Sequence, residues 1–180
     1  MSTHVMLDLE TLGVNPGDAL LWIGAVKFTG DRIIGKFDMP LTIESSLRRG
    51  LKVDGGTLTW WFDPERDEAR KQWFAADKVD LVEGLLNFND WVKEVTDFPV
   101  DGFCWGNGVL MDNNLLIAAY RAAGVEWPFS YKQDACYRTF KNLLPKVKLE
   151  RVGTYHNPVD DAESQARHLM EIVKTLGVRL

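Results

Sequence analysis

Hydrophobic periodicity changes after the first quarter of this chain, and that change limits the folds open to it. Up to about residue 43 the apolar residues form short runs of strand length; between residues 57 and 96 they recur at intervals of three and four. Residues 4–10, 20–28 and 32–43 are predicted strands, the last two joined by a tight hairpin at Thr29-Gly30-Asp31. Three neighbouring strands with short connections make an antiparallel meander. Helices are predicted over 57–76 and 79–96, the second with Leu81, Leu85, Phe88, Trp91 and Val95 on one face. There follow a short strand over 101–105, a helix from Asp112 that stops at Gly124, and a last strand over 129–135. A short helix over 136–144 and a terminal helix over 158–176 complete the chain. A meander followed by alternating strands and helices implies an α/β fold, with a mixed five-stranded sheet (the antiparallel meander plus two further strands) flanked by helices.

Bulk properties narrow the class. The 180 residues carry no internal repeat, low-complexity tract or linker, so residues 1–180 read as a single domain with ample apolar and aromatic material for a core. No apolar run approaches the roughly 18 residues that span a bilayer, and the start Met-Ser-Thr-His carries no basic leader. Cys104 and Cys136 are too few for a disulfide framework and lack metal-finger spacing, so the cytoplasm is the expected compartment. The net charge of −5 argues superficially against a nucleic-acid partner, yet carboxylates committed to metal ions enter that count. Locally, Arg138, Lys141, Lys146, Lys148 and Arg151 face a single acid, Glu150, and Arg48, Arg49 and Lys52 form a second basic cluster. Either is a solvated face or a phosphate contact.

Asp8 and Glu10 fall on the predicted first strand, so both carboxylates emerge on one side of it. Neighbouring like charges repel, and no Lys or Arg adjoins them in sequence; a hard divalent cation relieves the repulsion. With 26 acids among 180 residues this spacing recurs about four times by chance, so the pair gains weight only from later acids. Asp112 follows a strand end and the turn Gly106-Asn107-Gly108, where it is either a helix cap or a ligand at the carboxyl end of a strand. In Tyr155-His156-Asn157-Pro158-Val159-Asp160-Asp161, Pro158 suits the first helical position and Asn157 the N-cap. Asp160 then sits where an acid serves the free amides and the helix dipole. Asp161, one residue on, flanks the apolar stripe Ala162, Ala166, Leu169 and Val173 and can lean toward a strand. His156 lies just ahead of the cap.

Asp8-x-Glu10-Thr11, Asp112 after a Gly-Asn-Gly turn, and His156-x-x-x-x-Asp161 together resemble the DEDDh exonucleases of the RNase H-like, DnaQ-like superfamily. The likeness runs from residue 5 to about 170. Asp8-Leu9-Glu10-Thr11-Leu12-Gly13, the pair Trp60-Trp61 and Trp105-Gly106-Asn107-Gly108 are most similar to small phage and prophage exonucleases and RNase T-like enzymes. Met111, where relatives usually have Phe, and Asn157-Pro158, in place of the commoner Arg-Ala, depart from the pattern.

The resemblance implies an RNase H-like domain that is a metal-dependent 3′-5′ exonuclease, releasing nucleoside 5′-monophosphates from single-stranded DNA or RNA with a free 3′ end. It implies Asp8, Glu10, Asp112 and Asp161 as ligands of two divalent cations, Mg²⁺ or Mn²⁺, which act together on an in-line displacement. His156 is then the general base, kept neutral by a nearby helix N-terminus. Thr11, Leu12 and Gly13 approach the terminal nucleotide, with Gly13 permitting close backbone approach, and Asn107 contacts phosphate. Trp60 and Trp61 are candidates for stacking on terminal bases, though adjacent tryptophans on a helix cannot both face one groove easily. A homodimer is implied by the RNase T likeness. The alternative function is a metal-dependent phosphodiesterase acting on very short oligonucleotides or small nucleotides; a non-catalytic binding module would be expected to lack one of the acids or the histidine.

Overall fold

Strand β1 (Thr3–Thr11) lies at the centre of a five-stranded sheet, antiparallel to β2 (Leu20–Phe28) and parallel to β4 (Val100–Gly106). β3 (Ile33–Pro40) pairs antiparallel with β2, and β5 (Asp134–Cys136) pairs parallel with β4, giving the order β3-β2-β1-β4-β5. This is the mixed sheet, flanked by helices, of the RNase H-like fold. The structure, a computed structural model, describes residues 2–94 and 100–180.

Two layers of apolar side chains hold helices to the sheet. Val5, Leu7 and Leu9 of β1 pack with Leu81, Leu85 and Phe88 of helix α4 (Leu81–Lys93) and with Leu115, Leu116 and Ala119 of α5 (Asp112–Ala123). Met6, on the other face of β1, packs with Val26, Phe28 and Trp105 against Ala162, Ala166, Leu169 and Val173 of α7 (Pro158–Leu176). Each fully buried side chain such as Phe88 or Leu169 contributes roughly 1.5–3 kcal/mol. Strand alternation therefore puts Asp8 and Glu10 on the α7 face.

The structure departs from the predicted elements in three places. The predicted helix over 57–76 is two helices, α2 (Gly55–Trp61) and α3 (Asp67–Ala75), separated by a 3-10 turn at Pro64–Arg66. Pro64 has no N–H to continue a helix, and Asp63 restarts the chain by accepting from the Glu65 amide. The strand predicted over 32–43 ends at Pro40, and the short helix α1 (Ile43–Arg48) follows at once. Its β-branched entry, Thr42-Ile43, carries a strand signal that conceals it. The last strand shrinks from 129–135 to three residues because Ser130 and Gln133 form a capping box around a 3-10 turn, Tyr131–Gln133. Val95, placed on the face of the 79–96 helix, lies outside the described residues. Helix α6 (Tyr137–Leu143) and α7 fall where expected, and α5 ends at Gly124 in the left-handed conformation.

Candidate active site

Two helix N-termini reach the carboxyl ends of β1 and β4 because two glycines leave room for them. Gly24 pairs with Asp8 across β1 and β2, and a Cβ there would collide with the backbone of Pro158 and Val159 at the start of α7. Gly106 pairs with Leu7, and a Cβ there would collide with Asn113 and crowd Asp112 at the start of α5. The helices thus deliver Asp161 and Asp112 beside the two acids of β1.

Each carboxylate is held differently. Asp8 Oδ1 accepts from Gln165 Nε2 at 2.8 Å, one helical turn beyond Asp161. Asp112 is buried, and the backbone amides of Asn107 and Leu9 oppose the effect of that burial on its carboxyl; Leu9 lies past the last β1–β4 pairing at Leu7 and Gly106. Met111, not Asp112, occupies the N-cap position and offers no capping side chain. Asp161 Oδ1 accepts from Arg151 Nη1 at 2.5 Å, and its Oδ2 from the His156 amide at 3.0 Å. Asn157 caps α7, accepting from Val159 and Asp160. Asp160 does not serve the helix amides as expected. Its Oδ2 instead accepts from the Thr154 amide at 2.8 Å, because the chain folds back over it at Gly153.

These acids push one another toward protonation. Burial raises Asp8 well above the usual carboxylate range, and the charges of Asp112, Glu10 and Asp161 raise it further against the opposing hydrogen bond from Gln165. Burial also raises Glu10, with Asp161 and Asp112 adding to the effect. Asp112 is pushed up to about 6, chiefly by burial. Asp161 is raised by burial but relieved by the His156 amide and Arg151. Among the described residues neither Asp8 nor Glu10 forms an ion pair with a lysine or arginine. Glu10, His156 and Asp161 offer ligand atoms that all lie within 4.8 Å of one another. A mutually repelling, all-oxygen carboxylate set with one imidazole at its edge fits hard divalent cations.

His156 stands at the lip with its backbone at φ 63°, the sole positive φ outside glycine among the described residues. Its Nδ1 lies 3.6 Å from Glu10 Oε1, beyond hydrogen-bond range. Its ring lies 3.8 Å from that of Tyr155 and 5.1 Å, edge-on, from that of Trp60. Burial lowers its pKa, Asp161 opposes, and Arg66 and Arg151 reinforce the lowering. Burial is thus the largest cause of the lowered His156 pKa.

The acids and His156 line one cleft of about 560 Å³, a size suited to a small ligand. Trp60, Trp61, Thr11 and Asn107 also line it; Leu12 and Gly13 do not. Leu12 is buried in the core, and Gly13 is required by the Asp18 side chain, which a Cβ would strike, so its close approach is internal. Trp61 is buried and donates from Nε1 to the Thr11 carbonyl at 2.8 Å, while Thr11 Oγ1 donates to the Gly13 carbonyl at 2.5 Å. Trp60 is exposed, with the Arg66 guanidinium 4.5 Å from its ring centre. From the basic run, Arg138, Lys141 and Arg151 reach the cleft, and Arg138 donates to the Asn107 carbonyl at 2.6 Å. The other basic cluster does not reach it: Arg48 is paired with Glu44 and Asp80. Sequence reasoning missed Gln165 and Tyr155; the helical spacing of four from Asp161 to Gln165 was the available signal.

A family model described as the 3′-5′ exoribonuclease Rv2179c-like domain matches residues 3–173. No curated protein matches the chain. Among solved structures, the nuclease domain of 3′hExo, a DEDDh family member bound to rAMP, is 14% identical, with 97% of this chain and 92% of that one covered at a TM-score of 0.65. Cell-death related nuclease 4 (CRN-4) is 13% identical, with 97% and 64% covered and a TM-score of 0.62. A 3′-exonuclease solved for 3′-end specific recognition of a histone mRNA stem-loop is 13% identical, with 97% and 82% covered at 0.61. At these identities the structures speak to the fold.

Proposed function

The chain belongs to the family of 3′-5′ exoribonuclease Rv2179c-like domains, and from that premise we propose how its cleft acts as a metal-dependent 3′-5′ exonuclease. Asp8, Glu10, Asp112 and Asp161 would hold two divalent cations, Mg²⁺ or Mn²⁺. Bound there, such ions offset negative charge on the attacking and leaving oxygens of an in-line displacement. The observation that carries this reading is the convergence of four mutually repelling carboxylates in one cleft.

His156 takes a proton from the attacking water, a role supported by its lowered pKa and its place beside Glu10. Gln165 fixes the orientation of Asp8. Trp60 stacks on a terminal base, while Trp61 and Thr11, whose polar groups bond within the protein, shape the floor beneath it. Asn107 and Arg138 meet the phosphate backbone. The substrate is single-stranded, since a base must leave a duplex to enter a cleft of this size, and the family description favours RNA over DNA. The products are nucleoside 5′-monophosphates.

The same limited cleft favours a second reading, in which very short oligonucleotides or small nucleotides are the preferred substrates. Affinity with phage and RNase T-like enzymes is supported by Trp60-Trp61 and Trp105-Gly106-Asn107-Gly108, and a homodimer by the exposed apolar surface of Leu58, Phe62 and Phe74. The two free thiols, Cys104 and Cys136, accord with a reducing compartment such as the cytoplasm. No described helix is long and apolar enough to cross a membrane.

Digestion of 5′-labelled and 3′-labelled RNA and DNA, single- and double-stranded and of graded length, tests the proposal. A descending ladder from the 5′ label and immediate release of a labelled mononucleotide from the 3′ label are expected, both abolished by chelator. Internal cuts, or cleavage indifferent to chelator, would refute it; turnover confined to the shortest substrates would select the second reading.

A further inference from the structure

Of Asp8, Glu10, Asp112 and Asp161, only Asp161 forms an ion pair with an arginine among the described residues. The partner is Arg151, half-exposed at the cleft lip, while the Asp161 side chain is buried. The Arg151 guanidinium also lies 3.9 Å over the Tyr155 ring, which packs on His156, whose amide holds the second Asp161 oxygen. One arginine thus engages the carboxylate that also faces Glu10 and His156 across the space where their ligand atoms meet. A divalent cation entering that space would compete with Arg151 for the Asp161 carboxylate and be repelled by the guanidinium charge.

We propose that Arg151 is a displaceable counter-cation. It neutralises Asp161 before metal loads, yields Oδ1 to the incoming ion, and then offers its guanidinium, still stacked on Tyr155, to a substrate phosphate. This rests on the reading of Asp161 as a metal ligand. The planar guanidinium suits both tasks, since its fork matches carboxylate and phosphate alike and its face stacks on an aromatic ring. Arg138 and Lys141 share the same lip, so a released Arg151 joins cations already facing an anionic chain. Metal loading and substrate binding become linked through one side chain.

The test is calorimetric titration of Mn²⁺ into the full chain without nucleic acid, together with KM for a single-stranded oligonucleotide. Arg151→Gln should bind Mn²⁺ about five- to tenfold more tightly than wild type, while its KM rises by a similar factor. Arg151→Lys keeps the charge, so its Mn²⁺ affinity should stay near wild type, and it recovers only part of KM. A merely structural Arg151 would weaken metal binding when removed, the opposite sign. Unchanged or weaker Mn²⁺ binding by Arg151→Gln, with wild type binding normally, overturns the proposal alone. A wild-type chain that binds no Mn²⁺ overturns the metal reading as well. Should Arg151→Gln not fold, Tyr155→Leu loosens the pair and should tighten Mn²⁺ about two- to threefold; no tightening overturns the proposal.

Discussion

Asp160 and Asp161 adjoin in sequence but face different tasks. Asp160 ties down the preceding loop through the Thr154 amide, whereas Asp161 turns into the cleft beside Glu10 and His156. Asp160→Asn should therefore cost about 1 kcal/mol of stability, read by denaturant titration, with exonuclease activity retained. Asp161→Asn should abolish turnover in the same labelled-RNA assay; the reverse pattern would overturn the assignment of the two neighbours. His156 touches the site from its edge. His156→Ala is expected to slow hydrolysis by about 10²–10⁴-fold and to leave Mn²⁺ binding nearly intact by calorimetry. An unaltered rate would remove it as the base.

The elements that matter are β1, β4 and the helices that meet their ends. Helix α7 was legible from Asn157-Pro158 and its apolar stripe, and it spans the expected residues. Its depth was not legible, because Gly24 sits in a different strand, and only the packed structure shows Pro158 against it. A Cβ at Gly24 must push the α7 N-terminus away from Asp8. Gly24→Ala should cost about 1–3 kcal/mol and lower exonuclease activity together with it, while Gly30→Ala, whose Cβ meets open space in the hairpin, should stay within about 0.5 kcal/mol of wild type. Thermal melts and the labelled-RNA assay on both variants make the comparison, and equal behaviour would refute the packing argument.

Across the whole molecule, the cleft should make stability depend on pH and on divalent metal. Burial holds Asp112 near 6, above its ordinary 3.8, so its stabilisation is complete below about pH 4 and is lost as pH rises through about 6. Asp8 and Glu10 are raised in the same direction. Metal-free protein should thus melt lower at pH 7.5 than at pH 5, and Mg²⁺ should raise the melting temperature more at the higher pH. Scanning calorimetry with chelator and with Mg²⁺ decides this; an equal metal effect at both values would place the ions elsewhere. The sequence alone determined the order of the five strands and of helices α4 to α7 and the faces of β1, because periodicity and helix-cap chemistry are local, and its motifs carried the family resemblance that singled out the four acids. Tertiary structure alone decided that Gln165 bonds Asp8, that Arg151 holds Asp161, and that Leu12 and Gly13 turn away from the cleft. Those contacts join segments far apart in the chain or depend on which side of a turn is packed, and no local pattern encodes either.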